Sequence, residues 1–111
     1  MNELYRKTCK PCKSGSLVMT SEEITNNHTL IPEWEIQENM EVKQLHRVFK
    51  FKNFEQALAF TNRLGEIAEA EGHHPSILTE WGKVSVTWWT HKVHGLHLND
   101  FIMAAKTDKL M

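Results

Sequence analysis

The longest periodic pattern in the chain covers residues 54–71, where apolar or small side chains recur every three or four positions. The stripe consists of Ala57, Phe60, Thr61, Leu64, Ile67 and Ala68. This spacing is typical of an amphipathic helix that packs one face against a core. Asn53 is a favourable N-cap, and Gly72 is a favourable residue just after the last turn, so we expect one helix between them.

Alternating patterns predict two β-hairpins, one on each side of this helix. Residues 34–40 and 42–51 form the first hairpin, although Arg47 interrupts the apolar side of its second strand. Residues 76–81 and 83–90 form the second hairpin, and the alternation in its second strand indicates a half-buried strand.

Two shorter helices are predicted near the ends of the chain. Thr20 and Glu23 have the spacing of a capping box, which predicts a short helix over residues 20–30. Apolar residues at helical spacing from Leu98 onward predict a closing helix. The order is therefore α-β-β-α-β-β-α, and it favours an α+β fold: a four-stranded antiparallel sheet with three helices on one face.

Residues 1–19 lack any periodic pattern and are predicted to form a flexible tail before a single domain over residues 20–111. The tail contains Cys9 and Cys12 in a C-x-x-C arrangement. Two interpretations stay open for this pair: an unpaired dithiol in a reducing compartment, or half of a zinc site that histidines would complete.

Composition and charge narrow the class of protein. The chain has 111 residues, 24% of them charged, and a net charge of -1, which fits one globular domain. It has no basic tract, so nucleic-acid binding through phosphate contacts is not expected. It also has no apolar run long enough for a membrane span and no apolar signal core at its start. We therefore expect a cytoplasmic protein.

Five of the seven histidines lie within residues 73–97: His73, His74, His91, His94 and His97. An imidazole titrates near neutral pH, so each of these rings can give or take a proton under working conditions. Pro75 favours extended geometry at His74, and adjacent side chains in an extended segment point in opposite directions. We therefore expect His73 and His74 to have different roles.

Metal binding is an alternative use of these histidines. His91, His94 and His97 have a spacing found among zinc ligands, which would suit a metal hydrolase. However, Gly95 indicates a loop there, so the spacing does not place the three rings on one face.

Together these motifs resemble the signature of the pterin-4a-carbinolamine dehydratase family. The matching residues are Glu69-x-x-x-His73-His74-Pro75, then Thr90-His91-x-x-x-Gly95-Leu96, then Asp100, with supporting landmarks at Trp34, in the F-K-F-K-N-F run over 49–54 and in the D-F-x-x-A-A run from Asp100. The resemblance covers residues 20–108.

This resemblance implies the same α-β-β-α-β-β-α fold and a hydro-lyase that converts 4a-hydroxytetrahydropterin to quinonoid dihydropterin and water. The reaction belongs to the recycling of tetrahydrobiopterin for aromatic amino acid hydroxylases and needs no metal or cofactor. Family members form homodimers or homotetramers, and an animal member also serves as a dimerisation cofactor of a homeodomain transcription factor. A non-enzymatic interaction module is therefore the second alternative.

The resemblance also implies the roles of individual residues. The three active-site histidines are His73, His74 and His91, and the supporting residues are Glu69, Asp100, Pro75 and the pocket residue Trp34. We expect His73 and His91 to form the acid–base pair, and His74 to bind and orient the pterin. The two carboxylates would fix imidazole tautomers or hydrogen-bond the ring edge, and Trp34 would stack on the flat ring.

Two positions depart from the family pattern. His97 stands where Thr or Ser usually caps the last helix, and it is a poorer cap. Asn99 is expected to cap instead, which would shift the helix start and slightly move Asp100. Gly72 stands directly before His73, where some relatives have a carboxylate, so charge tuning from that position is absent.

Overall fold

A computed structural model describes residues 4–7 and 19–111 of the chain. The helices are α1 (Ser21–His28), α2 (Phe54–Glu71) and α3 (Leu98–Asp108), and the strands are β1 (Glu35–Asn39), β2 (Val42–Lys50), β3 (Ser76–Glu80) and β4 (Lys83–Trp88). Short 3-10 turns cover Leu4–Arg6 and His91–Val93. The order α-β-β-α-β-β-α and the α+β class are those predicted from the sequence, and both are confirmed.

The strands form one antiparallel sheet in the order β1-β2-β4-β3. The register places Leu45 opposite Trp88 and Phe49 opposite Val84, and all four side chains are buried. Helix α2 packs on β3 and β4, and α3 packs on β2 and β4. The long connection from β2 through α2 to β3 brings the end of α2 close to the end of β4, where the histidines lie.

Local sequence explains where the helices begin and end. The Asn53 side chain accepts a hydrogen bond from the Gln56 N–H at 2.8 Å and caps α2. Gly72 ends this helix in the left-handed conformation, with a φ of 67° that a residue with a Cβ rarely adopts. The capping box predicted for α1 is also present, because Thr20 and Glu23 exchange hydrogen bonds of 3.1 and 2.9 Å.

Arg47, which interrupts the apolar side of β2, forms an ion pair with Asp108. Its Nη1 lies 2.7 Å from Asp108 Oδ1, and its guanidinium lies 4.4 Å from the centre of the Phe49 ring. Trp34 Nε1 donates to the same carboxylate oxygen at 2.9 Å. Burial raises the pKa of the Asp108 carboxyl, although the Trp34 hydrogen bond and the charge of Arg47 act in the opposite direction. The charged residue is therefore accommodated at the rim of the core.

The first residues of the predicted tail contribute to the fold. Leu4 is only 3% exposed and belongs to the core, and Lys106 Nζ donates to the Tyr5 carbonyl at 2.9 Å. A buried leucine and a contact with α3 thus hold residues 4–7, and the flexible tail over residues 1–19 as a whole stays a prediction. Cys9 and Cys12 lie outside the described residues. Among residues 4–7 and 19–111, no helix is both long enough and apolar enough to cross a membrane.

Candidate active site

One buried carboxylate, that of Asp100, connects three segments of the chain. Its side chain is 0% exposed, and its Oδ1 lies 2.6 Å from Nε2 of His73, just beyond the end of α2. Its Oδ2 accepts hydrogen bonds from the Thr90 hydroxyl at 2.7 Å and from the His97 N–H at 2.9 Å. Asp100 therefore joins the ends of α2 and β4 to the start of α3.

The His73 ring is fixed on two sides. After the turn at Gly72, the His73 N–H bonds to the Ala68 carbonyl at 3.2 Å, which directs the ring toward the end of the sheet. There it stacks on Trp88 with 4° between the ring planes and 5.6 Å between the centroids. With Asp100 on its Nε2, the side chain remains only 12% exposed. The ring therefore has little orientational freedom.

The hydrogen-bond pattern assigns the proton on His73. An ionised Asp100 can only accept, and it already accepts from Thr90 and His97, so Nε2 of His73 is the donor in the third contact. Nδ1 then carries the lone pair, and within the described residues no hydrogen bond reaches it. A neutral imidazole held in this tautomer can take a proton at Nδ1 and return it.

The first turn of α3 holds Asp100 in place, and here one expectation was wrong. His97 is the N-cap in extended conformation, its Nδ1 accepting from the Asn99 N–H at 3.1 Å, while Asp100 accepts from the His97 N–H. Asn99 therefore does not replace His97 as the cap, and the helix start is not shifted. The physical reason is that an imidazole nitrogen without a proton reaches the Asn99 N–H as a Ser or Thr hydroxyl would.

His74 and Glu69 form a separate pair on the surface. His74 Nε2 lies 2.7 Å from Glu69 Oε1, with side-chain exposures of 63% and 81%. The contrast with His73 confirms that the two adjacent histidines point in different directions. A groove of about 860 Å³ along α2 and β3 reaches Glu69, but its lining includes none of His73, His74 and His91. Pro75 follows, partly buried, and leads into β3.

His91 is exposed and lies directly after Thr90, the residue that contacts Asp100. Two backbone hydrogen bonds of 2.9 and 3.4 Å between Thr90 and Gly95 close the loop that carries it. Its ring lies 4.6 Å from that of Trp89. His91 is thus tied through its neighbour to the carboxylate that orients His73, whereas His74 belongs to a different local pair.

Trp34 is placed differently from the stacking residue that the sequence suggested. It is 1% exposed, packs edge-on against Phe49 and donates to Asp108. In this conformation no ring face is open to a flat ligand, so its predicted stacking role stays a prediction.

The alternative metal set is not assembled within the part of the chain that the structure describes. Those residues contain no group of three or more His, Cys, Asp or Glu side chains placed to hold a metal ion. The Nδ1 of His97 is already used to cap α3. The ligand-like spacing of His91, His94 and His97 therefore does not become a ligand geometry.

Sequence reasoning missed two residues of the site, Thr90 and Trp88. Trp88 has no place in the sequence motif, but its ring supports that of His73. Thr90 was noted only as part of a motif. A signal was available for Thr90: Val84, Val86 and Trp88 are all buried, and extending this parity by one step places the Thr90 side chain inward as well.

The fold and the site define a small α+β protein with a histidine site anchored on a buried carboxylate. Residues 18–110 match the family described as pterin 4 alpha carbinolamine dehydratase, and the chain belongs to that family. It is 56% identical over 110 residues to a protein of Microcystis aeruginosa provisionally named pterin-4-alpha-carbinolamine dehydratase, covering 99% of this chain and 95% of that one. A protein of Chlorobaculum tepidum with the same provisional name is 53% identical, with 100% of both chains covered.

Two solved structures share the fold. The crystal structure of a transcriptional coactivator/pterin dehydratase from Brucella melitensis has a TM-score of 0.75 and 29% identity, covering 84% of this chain and 97% of that one. A pterin dehydratase-like protein identified as a RuBisCO assembly factor in the alpha-carboxysome has a TM-score of 0.60 and 25% identity, covering 70% of this chain and 88% of that one.

Proposed function

We propose that this chain dehydrates 4a-hydroxytetrahydropterin to quinonoid dihydropterin, with His73 and His91 carrying the two proton transfers. The observation that carries this proposal is the 2.6 Å contact between His73 and the buried Asp100, in a chain of the dehydratase family. The contact leaves one ring nitrogen of His73 available for proton exchange.

The chemistry needs two proton transfers. The bond between C4a and the hydroxyl oxygen breaks as a proton is delivered to that oxygen, and a ring nitrogen of the pterin loses a proton as the new double bond forms. Water is released, and no oxidant or reductant is consumed. Two imidazoles near neutrality suit such a pair of transfers. His73 would act through Nδ1, and the exposed His91 would act on the other side of the ring.

His74 and Glu69 fit a binding role. The carboxylate on Nε2 of His74 orients the ring and leaves Nδ1 as an acceptor for a donor on the pterin edge. Because both side chains are exposed, this pair is expected to contribute little to folding. A substitution there should therefore change substrate binding more than stability.

The wider setting is part of the same proposal. We propose that the activity recycles tetrahydrobiopterin for aromatic amino acid hydroxylases in the cytoplasm, in a homodimer or homotetramer and without a metal or cofactor. Substrate preference among pterin side chains would depend on residues around the site rather than on the histidines.

A partner-binding role is the second candidate. The two solved relatives are named as a transcriptional coactivator/pterin dehydratase and as a RuBisCO assembly factor, so the fold serves binding functions in other proteins. In this chain the paired His73 and Asp100 favour the enzyme, because a pure binding module has no need for a buried carboxylate that orients an imidazole.

The deciding experiment measures dehydration by the purified protein. The 4a-hydroxytetrahydropterin would be generated in place by a hydroxylase, and its loss of water followed by ultraviolet absorbance, with and without the protein. We expect a rate well above the uncatalysed one and a large loss in His73→Ala. A folded wild-type protein that leaves the spontaneous rate unchanged would favour the partner-binding role.

A further inference from the structure

Thr90 makes a contact that the proposed acid–base chemistry does not yet use. Its side chain is buried, and its hydroxyl donates to Asp100 Oδ2 at 2.7 Å. We propose that Thr90 is a positioning residue, whose hydroxyl fixes the Asp100 carboxylate so that His73 keeps its proton on Nε2 and exchanges protons at Nδ1. The kinetic part of this inference rests on the proposed function, whereas the structural part does not.

The geometry supports this role because two donors from different elements hold one oxygen of Asp100. The Thr90 hydroxyl comes from just beyond the end of β4, and the His97 N–H comes from the start of α3. Together they set the plane of the carboxylate, and that plane directs Oδ1 at the His73 ring. Without the hydroxyl, the carboxylate keeps one of these two anchors and can rotate about its last bond. A buried acceptor that loses a donor is also destabilised, which favours such a rearrangement.

The backbone of Thr90 is held independently of its side chain. Its N–H and C=O both bond to Gly95, so a change of side chain leaves the loop closure intact. The effect of removing the hydroxyl should therefore be confined to the carboxylate and the ring that it orients.

Thr90 could instead have a purely structural role and only fill space. Three substitutions distinguish this role from the positioning of Asp100 by the hydroxyl. Thr90→Ser keeps the hydroxyl and loses the methyl group, Thr90→Val keeps the shape and loses the hydroxyl, and Thr90→Ala loses both. If the hydroxyl positions Asp100, serine should behave like wild type while valine and alanine share the defect. If Thr90 only fills space, valine should be the mildest change.

The primary measurement is the tautomer of His73 in the free protein, read from the nitrogen chemical shifts of the ring by NMR. At a pH of about 8.5, above the range in which a free imidazole titrates, wild type and Thr90→Ser should show the Nε2–H form. Thr90→Val and Thr90→Ala should show a mixture of the two forms. The matched control is Thr87→Val in β4, three residues before Thr90, because the Thr87 hydroxyl lies 3.0 Å from Nδ1 of His46, outside the site. This control should leave the His73 signals unchanged.

The kinetic measurement is the dehydration rate of the same variants. At metal sites, loss of a group that orients a histidine ligand typically costs about 10- to 100-fold in metal affinity or activity, and we expect a loss of similar size in kcat for Thr90→Val. KM should change little, since Thr90 is buried and does not reach the substrate. Thr90→Ser should restore kcat.

Either measurement can overturn the inference. A Thr90→Val protein with wild-type His73 shifts, or a Thr90→Ser protein as defective as Thr90→Ala, would show that the hydroxyl does not position Asp100. If Thr90→Val does not fold, the comparison of Thr90→Ser with Thr90→Ala still tests whether the hydroxyl positions Asp100. If no variant, wild type included, accelerates dehydration, the proposed function fails, and the NMR measurement still tests the role of Thr90.

Discussion

Replacing Asp100 by asparagine tests the central contact of the site with almost no change in side-chain size. The carboxylate accepts from three donors, whereas an amide offers one oxygen and one NH2 group. If the amide oxygen keeps Thr90 and His97, the NH2 group faces Nε2 of His73. That nitrogen must then accept, so the proton moves to Nδ1 and the ring adopts the wrong tautomer.

The expected losses of activity and of stability follow from the number and kind of contacts that Asp100 makes. A proton transfer by a positioned side chain contributes roughly 10²- to 10⁴-fold, so Asp100→Asn should lower kcat/KM by about that factor. Hydrogen bonds to a charged group are worth about 1.5–3 kcal/mol, compared with about 1 kcal/mol for neutral ones. All three contacts can survive in neutral form, each weaker by about 0.5–2 kcal/mol, and the helix start loses a favourable charge worth about 0.3–1 kcal/mol. We expect the free energy of unfolding to fall by about 2 kcal/mol or more, and a domain with an ordinary stability of about 5–15 kcal/mol tolerates the lower part of that range.

The assay combines dehydration kinetics with urea unfolding followed by tryptophan fluorescence. Asp108→Asn is the matched control, because it makes the same change at the other end of α3, where the carboxylate contacts Arg47 and Trp34. The control should retain its activity. The reasoning is refuted if Asp100→Asn is folded and keeps its activity within about threefold of wild type, since general acid–base help is worth far more than that. A variant that unfolds outright would instead make Asp100 a structural residue.

The remaining predictions concern one histidine, one carboxylate and one buried leucine. His73→Ala should lose most activity, about 10²- to 10⁴-fold, yet keep its circular dichroism spectrum; loss of the folded spectrum would make His73 structural. For Asp108 the folded pKa is raised, so its contribution to stability is present below the unfolded pKa and is lost as pH rises through the folded one. The unfolding free energy of wild type minus that of Asp108→Asn should therefore fall as the pH rises across that acidic range. A rise of this difference would contradict a raised pKa for Asp108 in the folded protein. Leu4→Ala should lower the free energy of unfolding by about 2–5 kcal/mol in urea denaturation if residues 4–7 pack as described, whereas an effect near zero would mean that they do not.

Much of the fold could be predicted because its signals are local. The periodicity of residues 54–71, the cap at Asn53 and the stop at Gly72 all lie within one helix, and the structure places α2 accordingly. Arg47 could be recognised as an interruption but not explained. Its partner, Asp108, lies 61 residues further along the chain, and no local pattern connects the two.

The sequence indicated candidate residues for a site but not the contacts that those residues make. That His73 and His74 point apart follows from extended geometry before a proline, and their exposures bear this out. The cap of α3 was judged from the average preference of residue types, which ranks histidine low. In the structure that preference is overridden, because Asp100 binds the His97 N–H and brings the imidazole within reach of the Asn99 N–H.

This reciprocal capping explains why the site and the start of α3 cannot be separated. The carboxylate that accepts from the His97 N–H is the same one that orients His73, so the helix start and the orientation of the His73 ring depend on one buried group. A change that frays the first turn of α3 would move Asp100 and thereby disturb His73, even if it alters neither of these residues. The dependence also runs in the other direction. Thr90 and His73 bind the same carboxylate, so the segments that follow β4 and α2 stabilise the start of α3. The three segments that carry the family motif are therefore energetically coupled, and substitutions in any two of them should be non-additive.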